Sequence, residues 1–382
     1  MKIIKNPELK GILTLCLIII LLGAFMAGIS GKLEQWFGIT LFSGPRLQDK
    51  IVFVSGRDGS DIYVMDTDGS NRKALTDGAK VLSYPAISAT GNRIAFVAMV
   101  GNEKQVVCVG ARGGELDLLT SATGPKKEPR YTPDGKQLSF IASGRVYAAD
   151  LNGDKPECVL PTDAEIHAAM SSTTESREIP AYYSYAWAPD SESIAGVTKD
   201  AADNDTLVYV PHHDHAGEDA HKGVCPQRQV LAAGQVTGYS WAAEKPLLTA
   251  SVKIGKKNIL LIFDLERNQG GTVWSSEKQE LGFPAISADE TEVIVPLKST
   301  TKTASSGLLK IDLRSGQAGI IANGIFERPA FSPDDGTILA TMVSDNGEKR
   351  DIVLIDPTSG ELTQLTHDGR SSNAIWTPMS AE

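Results

Sequence analysis

The chain has 382 residues and a formal net charge of −10, with 22% charged and 41% hydrophobic residues. This composition indicates a folded globular protein and excludes a chain that is disordered throughout. The acidic balance argues against nucleic acid as a partner, because phosphate binding needs a basic face, and the length allows either two or three domains or one large repeat domain.

The amino-terminal thirty residues differ from the rest of the chain. Residues 1–10 carry three lysines and one glutamate, and residues 11–30 are uncharged. Twenty apolar residues in a helix span about 30 Å, the thickness of a bilayer core, and lysines before the helix keep that end in the cytoplasm. The sequence predicts a cytoplasmic basic segment over 1–10, a transmembrane signal-anchor helix over 11–30 and a juxtamembrane linker over 31–49. The remainder would lie on the periplasmic or extracellular side of a bacterial cytoplasmic membrane.

A cleaved signal peptide is the alternative to an anchor. Its apolar core would be shorter, about 7–15 residues, and would end at a small-x-small cleavage site. The nearest match to such a site is Gly28-Ile29-Ser30, and Cys16 lies too early in the apolar run for a lipoprotein cysteine. Cys108, Cys158 and Cys225 are too few for a disulfide framework, although an oxidising compartment would permit one bridge, for which we favour Cys158–Cys225.

A repeat begins at Lys50. Residues 50–78 read KIVFVSGRDGSDIYVMDTDGSNRKALTDG, in which Asp-Gly pairs stand between apolar runs, a pattern typical of β-hairpins. Residues 328–369 repeat the pattern: a strand that ends in Ser-Pro-Asp, a second strand, a charged turn, a third strand that ends in Asp, a Gly turn and a short fourth strand that ends in Leu-Thr. The recurring Asp residues favour turn chemistry over calcium binding, because they lack the ligand spacing of a calcium loop.

Two positions of the repeat can be followed along the chain. The first strand ends in a large apolar residue just before its turn, and we name these residues the anchors: Ile87, Tyr131, Trp187, Trp241, Ile286, Phe331 and Trp376. The third strand ends at Asp66, Asp150, Asp264, Asp312 and Asp356, with Gly110 and Pro211 in the two remaining repeats. Four short strands at such spacings predict β-propeller blades, with the anchors packed between neighbouring sheets.

The two ends of the repeat fix the number of blades. The chain begins on a second strand at Lys50 and ends on a first strand, NAIWTPMS, so that the two ends complete one blade. Six whole blades and one split blade predict an all-β, seven-bladed propeller of four-stranded blades over residues 50–382. The carboxyl-terminal strand would close the ring and remove an exposed sheet edge.

Residues 55–78 and 331–369 resemble the TolB-type, WD40-like β-propeller repeats of bacterial proteins. The resemblance covers about residues 50–379 and implies the fold rather than a function, because such repeats occur in TolB, in prolyl-oligopeptidase-like peptidases and in many exported proteins. TolB resembles a six-bladed propeller behind a separate α/β domain, and the peptidases need an α/β-hydrolase domain. Only a short linker precedes the first blade here and no hydrolase domain follows Glu382, so we expect a membrane-anchored member other than TolB.

Four of the six histidines lie in residues 212–225, which read HHDHAGEDAHKGVC. The candidate metal ligands are His212, His213, His215, His221 and Cys225. Imidazole and thiolate ligands of this kind bind zinc, but the stretch has no regular helical pair of histidines, and a solvated loop is the competing interpretation. It would follow the third strand of the fourth blade, and a second insertion over 163–184 would precede that blade at the opposite face. Such loops are either partner contacts or products of neutral drift.

No nucleophile elbow, phosphate loop, HExxH helix or CxxC pair occurs in the sequence. We therefore predict a non-enzymatic, membrane-anchored interaction scaffold or accessory subunit, with protein partners in the membrane or envelope and no required cofactor. A membrane anchor raises the effective concentration of the propeller near such partners. The alternatives are an enzyme or ligand binder with its site in the central channel, and a periplasmic zinc-binding protein that uses the histidine-rich stretch.

Overall fold

The computed structural model of the chain describes the residues 45–56, 60–171, 179–200, 202–211, 228–301 and 304–380. Within these ranges no helix is long and apolar enough to cross a membrane, and the predicted anchor at 11–30 lies outside them. By its internal contacts the chain divides between Arg46 and Leu47, and the unit that begins at Leu47 contains the propeller.

Seven separate antiparallel sheets confirm the prediction of a seven-bladed propeller. Blade 1 contains β1 (Lys50–Ser55), β2 (Asp61–Asp66) and β3 (Lys73–Ala74), with β29 (Ser371–Trp376) as its innermost strand. Blade 2 contains β4 (Ala86–Ile87), β5 (Arg93–Val100), β6 (Glu103–Gly110) and β7 (Asp117–Leu118). Blade 3 contains β8 (Lys126–Tyr131), β9 (Gln137–Ala142), β10 (Arg145–Asp150) and β11 (Glu157–Leu160). Blade 4 contains β12 (Ser184–Trp187), β13 (Ile194–Lys199), β14 (Asp205–Val210) and β15 (Gln229–Ala233).

The remaining three blades follow the same order, from the innermost strand outward. Blade 5 contains β16 (Gln235–Trp241), β17 (Leu247–Ile254), β18 (Lys257–Asp264) and β19 (Gln269–Ser276). Blade 6 contains β20 (Gln279–Leu281), β21 (Ala285–Ile286), β22 (Glu292–Ser299), β23 (Gly307–Asp312) and β24 (Ala318–Asn323). Blade 7 contains β25 (Ile325–Phe331), β26 (Ile338–Val343), β27 (Arg350–Ile355) and β28 (Leu362–Gln364). In blade 6, β20 and β21 both pair with β22, so the innermost strand is interrupted between them.

The closure of the ring by the last strand is also confirmed. β29 pairs antiparallel with β1, with Trp376 opposite Ile51 and Ser371 opposite Ser55. An ion pair of 2.7 Å joins Arg72, beside β3, to Asp368, just before β29. The pairing leaves β1 without an open edge and ties the two ends of the propeller to each other.

Side chains from adjacent blades form the hydrophobic core. In the part of the chain that the structure describes, seven buried clusters occupy the seven spaces between neighbouring blades. Each cluster takes up one of the seven anchors, which confirms their predicted place between sheets. Because each blade is covered on both faces, its central strands are buried along their length rather than at alternate residues, as in β1, where five of six residues are buried.

The Asp-rich turns are held by hydrogen bonds within the chain. The Asp356 carboxylate accepts the backbone N–H groups of Thr358 and Ser359 at 2.8 and 2.6 Å, and the bond from Ser359 is the main cause that lowers the pKa of Asp356. The Ser332 hydroxyl donates to Asp334 at 2.5 Å and accepts the backbone N–H of Thr337 at 3.0 Å. These contacts are those expected of Asx and Ser turns.

The insertion before blade 4 contains the helix α1 (Asp163–Ser171). Thr162 and Glu165 form a capping box: the Thr162 N–H donates to the Glu165 carboxylate at 2.9 Å, and the Glu165 N–H donates to the Thr162 hydroxyl at 3.3 Å. Glu165 also accepts the Tyr182 hydroxyl at 2.7 Å, which ties α1 to the residues that lead into β12. The strand registers place the beginning of β12 and the end of β14 at opposite ends of blade 4.

Candidate functional site

The innermost strands surround a central cavity of about 800 Å³. Its size lies in the range of small-molecule and cofactor pockets. The residue immediately before the anchor lines the cavity in every blade: Ala86, Arg130, Ala186, Ser240, Ala285, Ala330 and Ile375. The residue three positions before the anchor lines it in four blades: Tyr84, Glu128, Phe283 and Arg328. The number of residues between a position and the anchor therefore determines whether its side chain faces the channel.

Proline marks the channel edge in the four blades that supply those larger side chains. Pro85, Pro129, Pro284 and Pro329 follow Tyr84, Glu128, Phe283 and Arg328, respectively. The innermost strand has one unpaired edge, so a proline without an N–H group is tolerated there. The pairing shifts register around these residues in blades 3 and 7, where Glu128 and Arg328 have φ angles of 47° and 44°. Non-glycine residues in this left-handed conformation are uncommon and are often found at functional sites.

The charge of the cavity is opposite to that of the whole chain. Among the described residues, its lining contains five cationic side chains and a single carboxylate: Lys104, Lys126, Lys127, Arg130, Arg328 and Glu128. The chain as a whole carries −10. Cationic walls in a concave, partly desolvated site concentrate anionic ligands.

Arg328 lies between two aromatic rings. Its guanidinium carbon is 3.9 Å from the centre of the Tyr84 ring and 3.7 Å from that of the Phe283 ring. Burial is the main cause that lowers the pKa of Arg328, although an arginine stays charged in a protein. Cation–π contacts on both faces offset part of the cost of that burial.

The opposite wall is a connected polar group on blades 3, 4 and 5. The Tyr239 hydroxyl donates to the Ser184 hydroxyl at 3.0 Å, and Ser184 donates to the Glu128 carboxylate at 3.1 Å. The Arg130 guanidinium lies 3.6 Å from the same carboxylate oxygen and 5.6 Å from the centre of the Tyr185 ring. Glu128 is thus already engaged by groups of the protein.

One end of the channel combines cationic and apolar side chains. We call this end the mouth face; it is where the innermost strands begin and where the β5–β6 and β17–β18 hairpins turn. Lys104 and Lys127 are exposed there, and Lys126 is buried, with its ammonium group donating to the carbonyls of Ala122 and Gly124 at 2.7 and 2.6 Å. Large apolar residues are also exposed on this face: Leu82, Met99, Val100, Tyr183 and Ile254. Exposed apolar residues beside charged ones are typical of a contact surface for another protein.

The predicted zinc ligands do not fall within the described residues. His212, His213, His215, His221 and Cys225 belong to residues 212–227, which lie between Pro211 and Arg228. In the part of the chain that the structure describes, no group of three or more potential ligands could hold a metal ion. Zinc binding by the histidine-rich stretch and the Cys158–Cys225 bridge therefore stay predictions. Cys108 is buried and Cys158 is exposed, and neither forms a disulfide bond with another described residue.

Comparison with known proteins extends these observations. No family model matches the chain. A TolB homologue of Chlorobium chlorochromatii is 30% identical, over 25% of this chain and 31% of that protein. The crystal structure of TolB from Acinetobacter baumannii has a TM-score of 0.52 at 14% identity, over 91% of this chain and 70% of that one. The chain is thus similar to TolB proteins in part of its sequence and shares the β-propeller fold with them. The similarity lies in the repeats, which form the blades of the propeller.

Other proteins to which the chain is similar bear the names of enzymes. Dipeptidyl-peptidase 5 of Porphyromonas endodontalis is 30% identical, over 35% of this chain and 18% of that protein. A putative 6-phosphogluconolactonase of Bacteroides fragilis has a TM-score of 0.55 at 14% identity, over 88% of this chain and 98% of that one. The chain spans less than a third of the length of the curated relatives it matches. Similarity therefore establishes the propeller, and its function has to be argued from the site.

Proposed function

We propose that this TolB-like propeller is a non-enzymatic binding protein that takes an acidic segment of a protein partner into its central channel. The cationic lining of the cavity in an otherwise acidic chain is the observation that carries the proposal. An acidic segment is attracted to this channel and repelled by most of the remaining surface, so the charge pattern directs it to one place. The exposed apolar residues of the mouth face would contact the flanking part of the partner.

The proposed setting is the outer side of a bacterial cytoplasmic membrane. Residues 11–30 would anchor the chain, and residues 31–49 would connect the anchor to the propeller. An anchored binding module meets membrane-bound partners at a high effective concentration, so that moderate affinity suffices for a stable complex. This arrangement fits a scaffold or an accessory subunit of a membrane or envelope complex.

Copurification in mild detergent tests both parts of the proposal. The full chain would be compared with a variant that lacks residues 1–30 and with a double variant at the mouth face, Lys104→Glu and Lys127→Glu. The matched control is Lys155→Glu with Arg314→Glu, which makes the same change of charge in exposed turns at the opposite face. We expect a partner that the full chain and the control retain, and that the mouth-face variant and the variant without residues 1–30 lose.

The proposal also predicts the chemistry of that partner and the salt dependence of the complex. Its contact segment should be acidic, and the complex should weaken as salt is raised, because the attraction between exposed charges is screened. A partner retained equally by the mouth-face variant and the control would contradict binding at the channel. Turnover of a small molecule by the purified chain, abolished by substitutions in the channel, would instead support the enzyme alternative.

A further inference from the structure

We propose that Arg328 is the anion receptor of the channel, and that it binds a carboxylate of the ligand through the edge of its guanidinium group. This inference rests on the proposed function, because it identifies the residue and the chemical group at the centre of that binding site. The observations that carry it are the stacking of Arg328, the engagement of the nearby carboxylates by other groups, and the position of Arg130.

The stacking leaves one part of the guanidinium group for hydrogen bonding. The Tyr84 and Phe283 rings lie 3.9 and 3.7 Å from the guanidinium carbon and take up its faces. All the N–H groups of a guanidinium lie in its plane, so its edge is still available. Within the described ranges, no oxygen of the protein accepts a hydrogen bond from the Arg328 guanidinium group. The edge matches the two oxygens of a carboxylate, which accept a pair of parallel hydrogen bonds.

Among the described residues no carboxylate forms an ion pair with Arg328, and Glu327 and Glu128 are engaged by other groups. The neighbouring residue, Glu327, accepts hydrogen bonds from Arg350 through both oxygens, at 3.1 and 3.2 Å. Glu128, the carboxylate of the cavity lining, accepts the Ser184 hydroxyl and lies 3.6 Å from Arg130. A carboxylate brought by a ligand would therefore meet a charged group whose hydrogen-bonding capacity is unused.

A second arginine in the cavity favours the same class of ligand. Burial lowers the pKa of Arg328 most, and the positive charge of Arg130 lowers it further. Two like charges in a partly desolvated cavity repel each other, and an anion placed between them relieves that repulsion. The left-handed conformation of Arg328 and the proline that follows it fix the backbone of the receptor before the ligand arrives.

Calorimetric titration of the full chain in mild detergent and low salt tests the assignment. The probes are acetyl-tetraglutamate amide, the uncharged acetyl-tetraglutamine amide and inorganic phosphate. We expect the unchanged protein to bind the glutamate peptide and not the glutamine peptide. Arg328→Lys keeps the charge but loses the planar fork, and should weaken binding about tenfold or more. The matched control Arg267→Lys changes an exposed arginine that pairs with Asp264 outside the channel, and should bind like the unchanged protein.

A second variant covers the case in which Arg328→Lys does not fold. Phe283→Leu retains the arginine but removes one of the rings that orient it, and should weaken binding of the glutamate peptide severalfold. Phe283 is half-buried in the channel and belongs to none of the clusters between blades, so this change spares the core.

The outcomes separate this inference from the proposed function. Equal affinity of the unchanged protein and the variants for the glutamate peptide would overturn the role of Arg328 and leave binding in the channel intact. Phosphate bound more tightly than the peptide, and lost in Arg328→Lys, would overturn the assignment to a carboxylate. If no probe binds, the inference fails, and copurification of the partner through the mouth face decides the proposed function independently.

Discussion

At the scale of single residues, a threonine near the end of the outermost strand fastens that strand to its neighbour. In blade 7 the Thr366 hydroxyl accepts the Ile352 N–H at 2.9 Å and donates to Asp351 at 3.0 Å. In blade 1, Thr76 makes the same contacts with Ile62 and Asp61, at 3.0 and 2.7 Å. The repeated Leu-Thr ending of the sequence motif thus has a physical reason: the threonine satisfies a buried backbone donor that the short outer strand leaves open.

Thr366→Val should therefore destabilise the protein. Valine has nearly the shape of threonine but leaves the buried Ile352 N–H without a partner and removes one of the two hydrogen bonds that the Asp351 carboxylate accepts, which should lower the free energy of unfolding by about 1–3 kcal/mol. Thr363→Val, three residues earlier and exposed, is the matched control and should change it by less than about 0.5 kcal/mol. Urea unfolding monitored by tryptophan fluorescence measures both. Equal stability of the two variants would contradict this role of the hydroxyl.

The channel residues are the part of the candidate site that could not be predicted from the sequence alone. The anchors were predicted because they recur at a fixed place in every repeat, and burial between sheets selects one kind of residue there. Three positions earlier the repeats carry tyrosine, glutamate, serine, glycine, phenylalanine, arginine and asparagine, so no pattern identifies them. Arg328, Tyr84 and Phe283 belong to different blades and meet only because the ring closes. The proline that follows each of these residues was the one sequence feature that could have identified them as channel residues.

At the scale of elements, β29 is the strand on which the propeller's closure depends. It covers the edge of β1, and the Trp376 side chain packs into the cluster between blades 7 and 1 while its ring N–H donates to the Ala330 carbonyl at 3.2 Å. Its identity as a first strand, and its pairing with the first blade, could be predicted by counting strands at the two ends of the repeat. The register, with a shift between Val52 and Val54, could not, since it depends on the bulge in the closed ring.

Removal of β29 should produce a chain that associates with itself. Truncation after Gly369 exposes the edge of β1 and part of the hydrophobic cluster between blades 7 and 1. An open edge of this kind pairs with other chains. Truncation after Pro378 keeps the strand and serves as the control. Light scattering coupled to size exclusion measures the mass of both in detergent. A truncated chain of the same mass as the control, with an unchanged melting temperature, would show that closure does not need this strand.

At the scale of the whole molecule, carboxylates hold many of the turns that connect the strands. The pKa of Asp289, Asp312, Asp334 and Asp356 is lowered from the ordinary value of 3.8, mainly by hydrogen bonds from hydroxyl and backbone N–H groups of their own turns. A carboxyl group whose pKa is lower in the folded state stabilises that state above its unfolded value and loses this contribution as the pH falls through the folded value.

The propeller should therefore lose stability below about pH 4, as the turn aspartates become protonated. The melting temperature measured between pH 5 and pH 3 should fall, and the fall should be smaller in a variant with Asp334→Asn and Asp356→Asn, because asparagine keeps the acceptor oxygen but does not titrate. Asp345→Asn is the matched control, since this exposed aspartate accepts no hydrogen bond within the described residues, and it should follow the unchanged protein. Parallel curves for the double variant and the control would mean that the acid sensitivity arises elsewhere in the ring.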